Sequence, residues 1–151
     1  MQGPPTHEDA VWRERGYREA LKTHGLSFDP SLVVRGAFNR DEARRMLEQM
    51  LLDGVEFDAV FSGDDEAAVG IYLALRQAGR RVPEDVAVVG FDDQVFASTL
   101  SPSLTTIRAP TEQVGREAVH LLARMLKGES VEPRLSLPTE LVIRESCGCQ
   151  A

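Results

Sequence analysis

A chain of 151 residues with 42% hydrophobic and 27% charged residues has enough apolar material for one domain with a core of its own. Its net charge of −7 excludes this segment as a grip on DNA or an anionic membrane, because either needs a basic face. No apolar run approaches bilayer-spanning length, and the N-terminus, M-Q-G-P-P-T-H-E-D, is polar rather than a secretory leader, so a cytoplasmic setting is expected.

Helical and strand patterns alternate along the chain, which predicts a parallel sheet covered by helices. His7 to Thr23 reads as a helix ended by Gly25, and Leu32 to Arg35 as a strand. Asn39 to Asp53 is the clearest helix: Ala43, Met46, Leu47, Met50 and Leu51 form one apolar stripe. Asn39 is its N-cap, with Glu42 three residues on in a capping-box position, and Gly54 ends it. Phe57 to Ser62 reads as a strand. Asp65 to Gln77 reads as a helix with acidic residues at its start, where the helix dipole favours them.

The run Val86 to Asp93, V-A-V-V-G-F-D-D, is the most informative. Four apolar residues in a row predict a strand buried on both faces. Asp92 and Asp93 then stand past its carboxyl end, the edge where open α/β sheets bind ligands. A carboxylate there can accept hydrogen bonds from two hydroxyls at once. Phe96 to Leu104 reads as loop, Thr105 to Ile107 as a short strand, and Thr111 to Lys127 as a helix. That helix carries a stripe of Val114, Ala118, Leu121, Leu122 and Met125. Leu135 to Ile143 alternates and contains Pro138, so it reads as an edge strand.

The first predicted element is a helix behind G-P-P, although a strand should feed such a turn; this implies a chain that begins partway through a domain. Cys147 and Cys149 are too few and too close for a disulfide framework, and no second Cys/His pair completes a metal site. They read as reduced, in a frayed tail. His7, His24 and His120 are isolated, so neither a metal nor a cofactor is expected. Ser62, His120 and an Asp suggest a hydrolytic triad only on paper, for there is no G-x-S-x-G elbow; nor is there a G-x-G-x-x-G fingerprint for a dinucleotide enzyme.

Five segments in series resemble the LacI/GalR family of bacterial transcription repressors: G-P-P-T-H-E-D-A-V-W-R-E-R-G-Y-R-E-A-L, V-F-S-G-D-D-E-A-A-V-G-I-Y-L-A-L, R-R-V-P-E-D-V-A-V-V-G-F-D-D, S-P-S-L-T-T-I-R and E-L-V-I-R-E-S. They cover nearly the whole chain in the family's order. The resemblance implies an effector-binding domain of the type I periplasmic-binding-protein fold, two α/β lobes with the ligand between them. Residues 1–107 would belong to the C-terminal lobe, 108–134 would be a crossover helix in the other lobe, and 135–151 would return as edge strand and tail. The helix-turn-helix, the hinge helix and most of the N-terminal lobe have no counterpart in these residues.

The resemblance also places effector-binding residues at Asp9, Arg13, Phe38, Asp64 and Asp92. Asp64 stands where the family often has Asn, and Arg108 to Thr111 offer less to a ligand than some members do. Each position has a plainer reading. Asp9 and Arg13 are spaced for a surface ion pair, Phe38 for core, and one of Asp64 and Asp65 for a helix cap. We expect Asp65 to cap and Asp64 to face the pocket, Asp92 to face ligand and Asp93 to be structural, and Trp12 to serve packing or an interface rather than ligand. Three carboxylates around one arginine favour a neutral sugar or polyol over an anion.

The implied function is ligand sensing in a regulator that reaches operator DNA only through an N-terminal domain outside this segment, without enzymatic chemistry. The alternative on the same fold is a sugar-binding protein of an ABC transporter. With most of one lobe missing, the stripe on the last helix would lie exposed and drive a homodimer, and effector binding by this chain alone would be weak or absent.

Overall fold

The computed structural model describes residues 1–4, 6–35 and 38–149. Pro5 of the G-P-P run and the last two residues of the tail lie outside them. Four helices, α1 (Glu8–Thr23), α2 (Arg40–Leu52), α3 (Asp65–Gln77) and α4 (Thr111–Leu126), accompany four strands, β1 (Ala59–Phe61), β2 (Ala87–Phe91), β3 (Thr105–Arg108) and β4 (Glu140–Val142). The strands form one open sheet in the order β1-β2-β3-β4. The first three run parallel, and β4 pairs antiparallel with β3, so the expected parallel sheet acquires one reversed edge strand.

The helices begin where their caps dictate. The Asn39 side chain accepts from the amides of Asp41 and Glu42, each at 3.0 Å, and so satisfies two of the donors a helix start leaves unpaired. Only half of a capping box forms, since the Glu42 carboxylate turns to Arg45 instead. α2 and α3 pack so closely that a Cβ on Gly70 would run into the Arg40 carbonyl. Beneath them lies the core: Leu47, Ala68, Ile71, Ala74, Leu75, Val86, Val88, Ala97 and Leu104.

Two expectations about strands need correction. β2 is not buried on both faces: Val88 and Gly90 are buried, whereas Ala87, Val89 and Phe91 are half-buried. Val88 belongs to the core under α2 and α3, and the opposite face has no comparable cover among the described residues. Leu32 to Arg35 is not a strand. Pro30–Leu32 form a 3₁₀ turn, because Pro30 fixes φ and the Asp29 carboxylate accepts from the Ser31 amide at 2.8 Å. Only Arg35 pairs, in a single parallel bridge with Gln2.

α4 projects from this body. None of its residues is buried, and Val114, Val119, Leu122, Met125 and Leu126 are all exposed. Its connection to the sheet is narrow: the last residue of β3, Arg108, stands opposite the first residue of β4, Glu140. No described helix is long and apolar enough to cross a membrane.

The tail is anchored rather than frayed through Cys149. After β4, a 3₁₀ turn at Glu145–Cys147 packs on β2 and β3. The Glu145 carboxylate accepts from the Ser103 amide and hydroxyl. The buried Ser146 hydroxyl donates to the Val88 carbonyl at 2.6 Å and accepts from the Thr105 amide at 2.8 Å, so one oxygen bridges two strands. Ser146→Ala would leave both backbone groups unsatisfied in the interior. It is expected to cost about 1–3 kcal/mol, read as a lower urea midpoint with an unchanged m-value; an unchanged midpoint would show that water replaces the hydroxyl.

Candidate ligand-binding site

The site forms where the carboxyl ends of β1 and β2 meet the start of α1. Arg13, on the second turn of α1, is largely buried, with its side chain 16% exposed. Its guanidinium lies 3.8 Å from the centroid of the Phe91 ring and 5.2 Å from that of Phe38. Aromatic faces attract a cation in this position. Nη1 donates to the Gly63 carbonyl at the end of β1. Nη2 lies 3.8 Å from both Asp9, one turn earlier on α1, and Asp92, just past β2. These two contacts are ion pairs too long for hydrogen bonds. Among the described residues, Arg13 therefore spends one of its roughly five N–H donors on the protein and leaves the rest of its fork for a ligand.

Asp92 is the matching acceptor. Its amide donates to the Ile107 carbonyl, and its side chain accepts no hydrogen bond among the described residues. Its backbone is held at φ 106, and Asp93 follows at φ 53, both in the left-handed region that costs an L-residue energy. Burial pushes the Asp92 carboxyl up from its ordinary value, opposed by the neighbouring Arg13 and reinforced by Asp64, Asp65 and Asp9. Asp9 is mostly exposed at the mouth. Phe38 also has a positive φ, 50, and its ring fills space that two glycines leave open. A Cβ on Gly3 would enter the ring, and one on Gly63 would lie 2.8 Å from its Cε1.

The two Asp pairs divide their work, and one divides opposite to expectation. Asp64, not Asp65, caps α3: its Oδ1 accepts from the Ala67 amide at 2.7 Å. The cap residue precedes the first helical turn and has extended backbone, φ −154, which places its carboxylate over the third amide. Asp65 opens the helix proper and points inward. Fully buried, it accepts from the Thr106 hydroxyl and from the Gln94 amide, each at 2.7 Å. Burial pushes both carboxyls up. Asp93 is structural, as expected: it accepts from Arg144 at 2.6 Å and from Arg108 at 2.7 Å. Arg144 also donates to the Leu104 carbonyl, and Arg108 to Glu140.

Thus Arg13, Asp9, Asp92 and Phe38 come together, Asp64 stands beside them as a cap, and Trp12 lies half exposed on the outer side of α1. Sequence reasoning missed Phe91 as the platform under Arg13, although it sits in the G-F-D-D run. It missed the inward turn of Asp65 because nothing local marks Thr106 as its partner. Two spaces flank the Arg13–Asp92 pair. An open crevice of about 470 Å³ is lined by Asp92, Asp93, Arg108, Thr111 and Arg116. An apolar cavity of about 110 Å³ lies behind Arg13 between α1, α2 and β1. Ser62 is buried and donates to the Asp64 carbonyl, which leaves it no catalytic partner among the described residues. No group of three metal-ligating side chains occurs among them either. The chemistry on offer is recognition of oxygen-rich ligands by fixed charges.

Residues 1–147 match the periplasmic binding protein-like domain family. The chain belongs to this family. Its relatives within it are LacI-type regulators, as the sequence resemblance implied. The HTH-type transcriptional regulator CelR of Thermobifida fusca is 43% identical over 97% of this chain and 43% of its own length. The ribose operon repressor of Escherichia coli K12 is 37% identical over 97% of this chain and 44% of its own. A CelR–cellobiose complex superimposes with TM-score 0.91 at 42% identity, covering 97% of this chain and 45% of that one. The lac repressor dimer bound to operator superimposes with TM-score 0.90 at 28% identity, covering 97% and 44%. The chain therefore spans less than half the length of these relatives, and the part it spans is a fragment of their effector-binding domain.

The Asp93 clamp makes a pH-dependent prediction. Burial alone would raise this carboxyl, but the bonds from Arg144 and Arg108 outweigh it and hold the group below the ordinary carboxylate range. A depressed carboxylate stabilises the fold above its unfolded pKa, and that contribution is lost as pH falls through the folded value. Asp93→Ala is expected to cost about 3 kcal/mol at pH 7. The gap should narrow below about pH 4, as read by urea unfolding at both pH values. An equal loss at both would show that packing, not charge, holds the clamp.

Proposed function

We propose that this chain is the effector-sensing part of a LacI-type transcription regulator, and that Arg13 and Asp92 are the pair that grips a neutral sugar or polyol. The observation that carries the reading is their arrangement: a guanidinium with open donors and a carboxylate with open lone pairs, facing each other at the carboxyl edge of a parallel sheet. Vicinal hydroxyls can satisfy both at once, accepting from the fork and donating to the carboxylate. Phe38 offers an aromatic face to the C–H face of a sugar ring, Asp9 adds an acceptor at the mouth, and Asp64 adds negative charge beside Arg13. An anionic effector would meet three carboxylates around one arginine. The names of the relatives, a regulator solved with cellobiose and a ribose operon repressor, point to sugars as well.

The segment 108–134 belongs, in this reading, to a second lobe that closes over the ligand, and 135–151 returns to the first. Closure moves the lobes of two protomers against each other and changes operator affinity, a coupling between two sites through two global states. DNA is contacted by a domain outside these residues, in keeping with the charge of −7. The setting is cytoplasmic. No bond is made or broken, so the protein is not an enzyme and needs no cofactor.

A chimera tests this directly. This chain replaces the matching 147 residues of the Thermobifida fusca CelR, and operator binding is measured with and without cellobiose, ribose and inorganic phosphate. One of the sugars should shift operator affinity. Asp92→Ala should raise that sugar's Kd at least about tenfold, about 1.4 kcal/mol, and leave sugar-free operator binding unchanged. A sugar response that survives Asp92→Ala, or a response to phosphate alone, would overturn the assignment.

The chain by itself should dimerise through α4. None of its residues is buried, and along its apolar stripe Val114, Ala118, Leu122 and Met125 are exposed while Leu121 is half-buried. Light scattering at high concentration is expected to give twice the monomer mass, and the double change Leu122→Glu with Met125→Glu to restore the monomer. A wild-type chain that stays monomeric would refute this.

A further inference from the structure

The sugar-sensing reading makes no use of the C-G-C motif at Cys147–Cys149. We propose that these two cysteines are a redox-active dithiol that closes reversibly to an intrachain disulfide. Both are free in the structure, Cys147 half-buried at the end of the 3₁₀ turn and Cys149 exposed. Gly148 between them is held at φ 70, a left-handed turn that folds the chain back so that the flanking residues face each other. The Cys149 amide donates to Cys147 Sγ at 3.2 Å, and Cys149 Sγ contacts the Cys147 carbonyl at 3.9 Å. The turn itself does not fray, because Ser146 and Glu145 tie it to β2 and to the loop before β3.

These contacts distinguish the two sulfurs. Burial alone raises the Cys147 thiol, but the neighbouring Cys149 thiol and amide, with Thr105, outweigh it and hold it below its ordinary value. Cys149 is pushed up by the same contact. The thiolate is the reactive form, so the site has a stabilised nucleophile at Cys147 beside an accessible sulfur at Cys149. The oxidant is a low-molecular-weight disulfide such as oxidised glutathione. Because Cys149 is the exposed one of the two, it meets the oxidant first: its small thiolate fraction attacks, forms a mixed disulfide and releases one small thiolate, and its proton passes to solvent. The Cys147 thiolate then attacks the Cys149 sulfur, closes the bond and releases the second. The protein gives up two electrons and two protons, and the oxidant becomes two thiols. The site lies at the root of the segment carrying Arg144 and Ser146, apart from the sugar-binding edge.

The chain, fully reduced, is treated with oxidised glutathione at pH 7 and followed by intact mass. The native chain should lose two hydrogens and retain no glutathione. Cys147→Ser should retain one glutathione, on Cys149. Closure should be at least about tenfold faster in the native chain than in the same chain unfolded in urea, and Gly148→Val, which disfavours the left-handed turn, should slow native closure by a similar factor. Two retained glutathiones on the native chain, disulfide-linked dimers, a closure rate equal to that of the unfolded chain, or undiminished closure in Gly148→Val would each overturn the proposal. None of these readouts depends on sugar or operator binding, so they stand or fall separately from the sensing role.

Discussion

A single buried carboxylate organises the candidate ligand-binding edge. Asp65 has no exposed surface, and a carboxylate in that position is costly unless its oxygens are bonded. One oxygen takes the Thr106 hydroxyl from β3 and the other the Gln94 amide from the loop after β2. The start of α3, a neighbouring strand and the binding loop are thereby joined through one side chain. Gly90 is required for the same reason, since a Cβ there would strike Asp65 Oδ1. The loop, held at Gln94 and at the Ile107 carbonyl, has little choice but the left-handed backbone of Asp92 and Asp93, and that backbone aims Asp92 at Arg13.

The two Asp–Asp pairs follow one logic. In each, the second carboxylate is spent on partners from distant parts of the chain, and the first keeps closer to Arg13. Asp65 and Asp93 are spent on tertiary partners, Asp64 on its own helix, and only Asp92 keeps its oxygens free of protein donors among the described residues. This explains why the negative charge at the site coexists with a stable fold. Three of the four carboxylates are neutralised or bonded, and the fourth shares its charge with an arginine that is itself supported by Phe91.

What the sequence made legible was whatever depends on neighbours along the chain. The Asn39 cap, the stripe through Ala43 and Leu47, and the exposed face of α4 are properties of local spacing, and the structure contains them. The convergence of Asp9, Arg13, Phe38 and Asp92 came from the family resemblance, because their meeting depends on topology that no local pattern encodes. The failures have local causes as well. The three apolar residues Leu32 to Val34 suggest a strand by pattern, but the turn chemistry of Asp29 and Pro30 dominates that stretch. The Asp64 and Asp65 roles were exchanged because acidic residues suit both a cap and a first turn, and only the partner across the sheet, Thr106, separates them.

The remaining link is mechanical. The arm that contains α4 leaves the body at Arg108 and returns at Glu140, and these two residues are bonded to each other. Arg108 is also bonded to Asp93, and Asp93 to Arg144 on the returning segment. Asp93 is therefore common to both sides of the neck, and it is the residue next to Asp92. A charged side chain with two arginine partners is stiffer than one with a single partner, since each bond removes freedom that the other no longer has to pay for. The loop after β2 and the neck are thus tied together through Asp93. A displacement of Asp92 along the chain direction is resisted by two arginines rather than by a flexible loop, and the orientation of the arm is set within a few bonds of the carboxylate that faces the crevice.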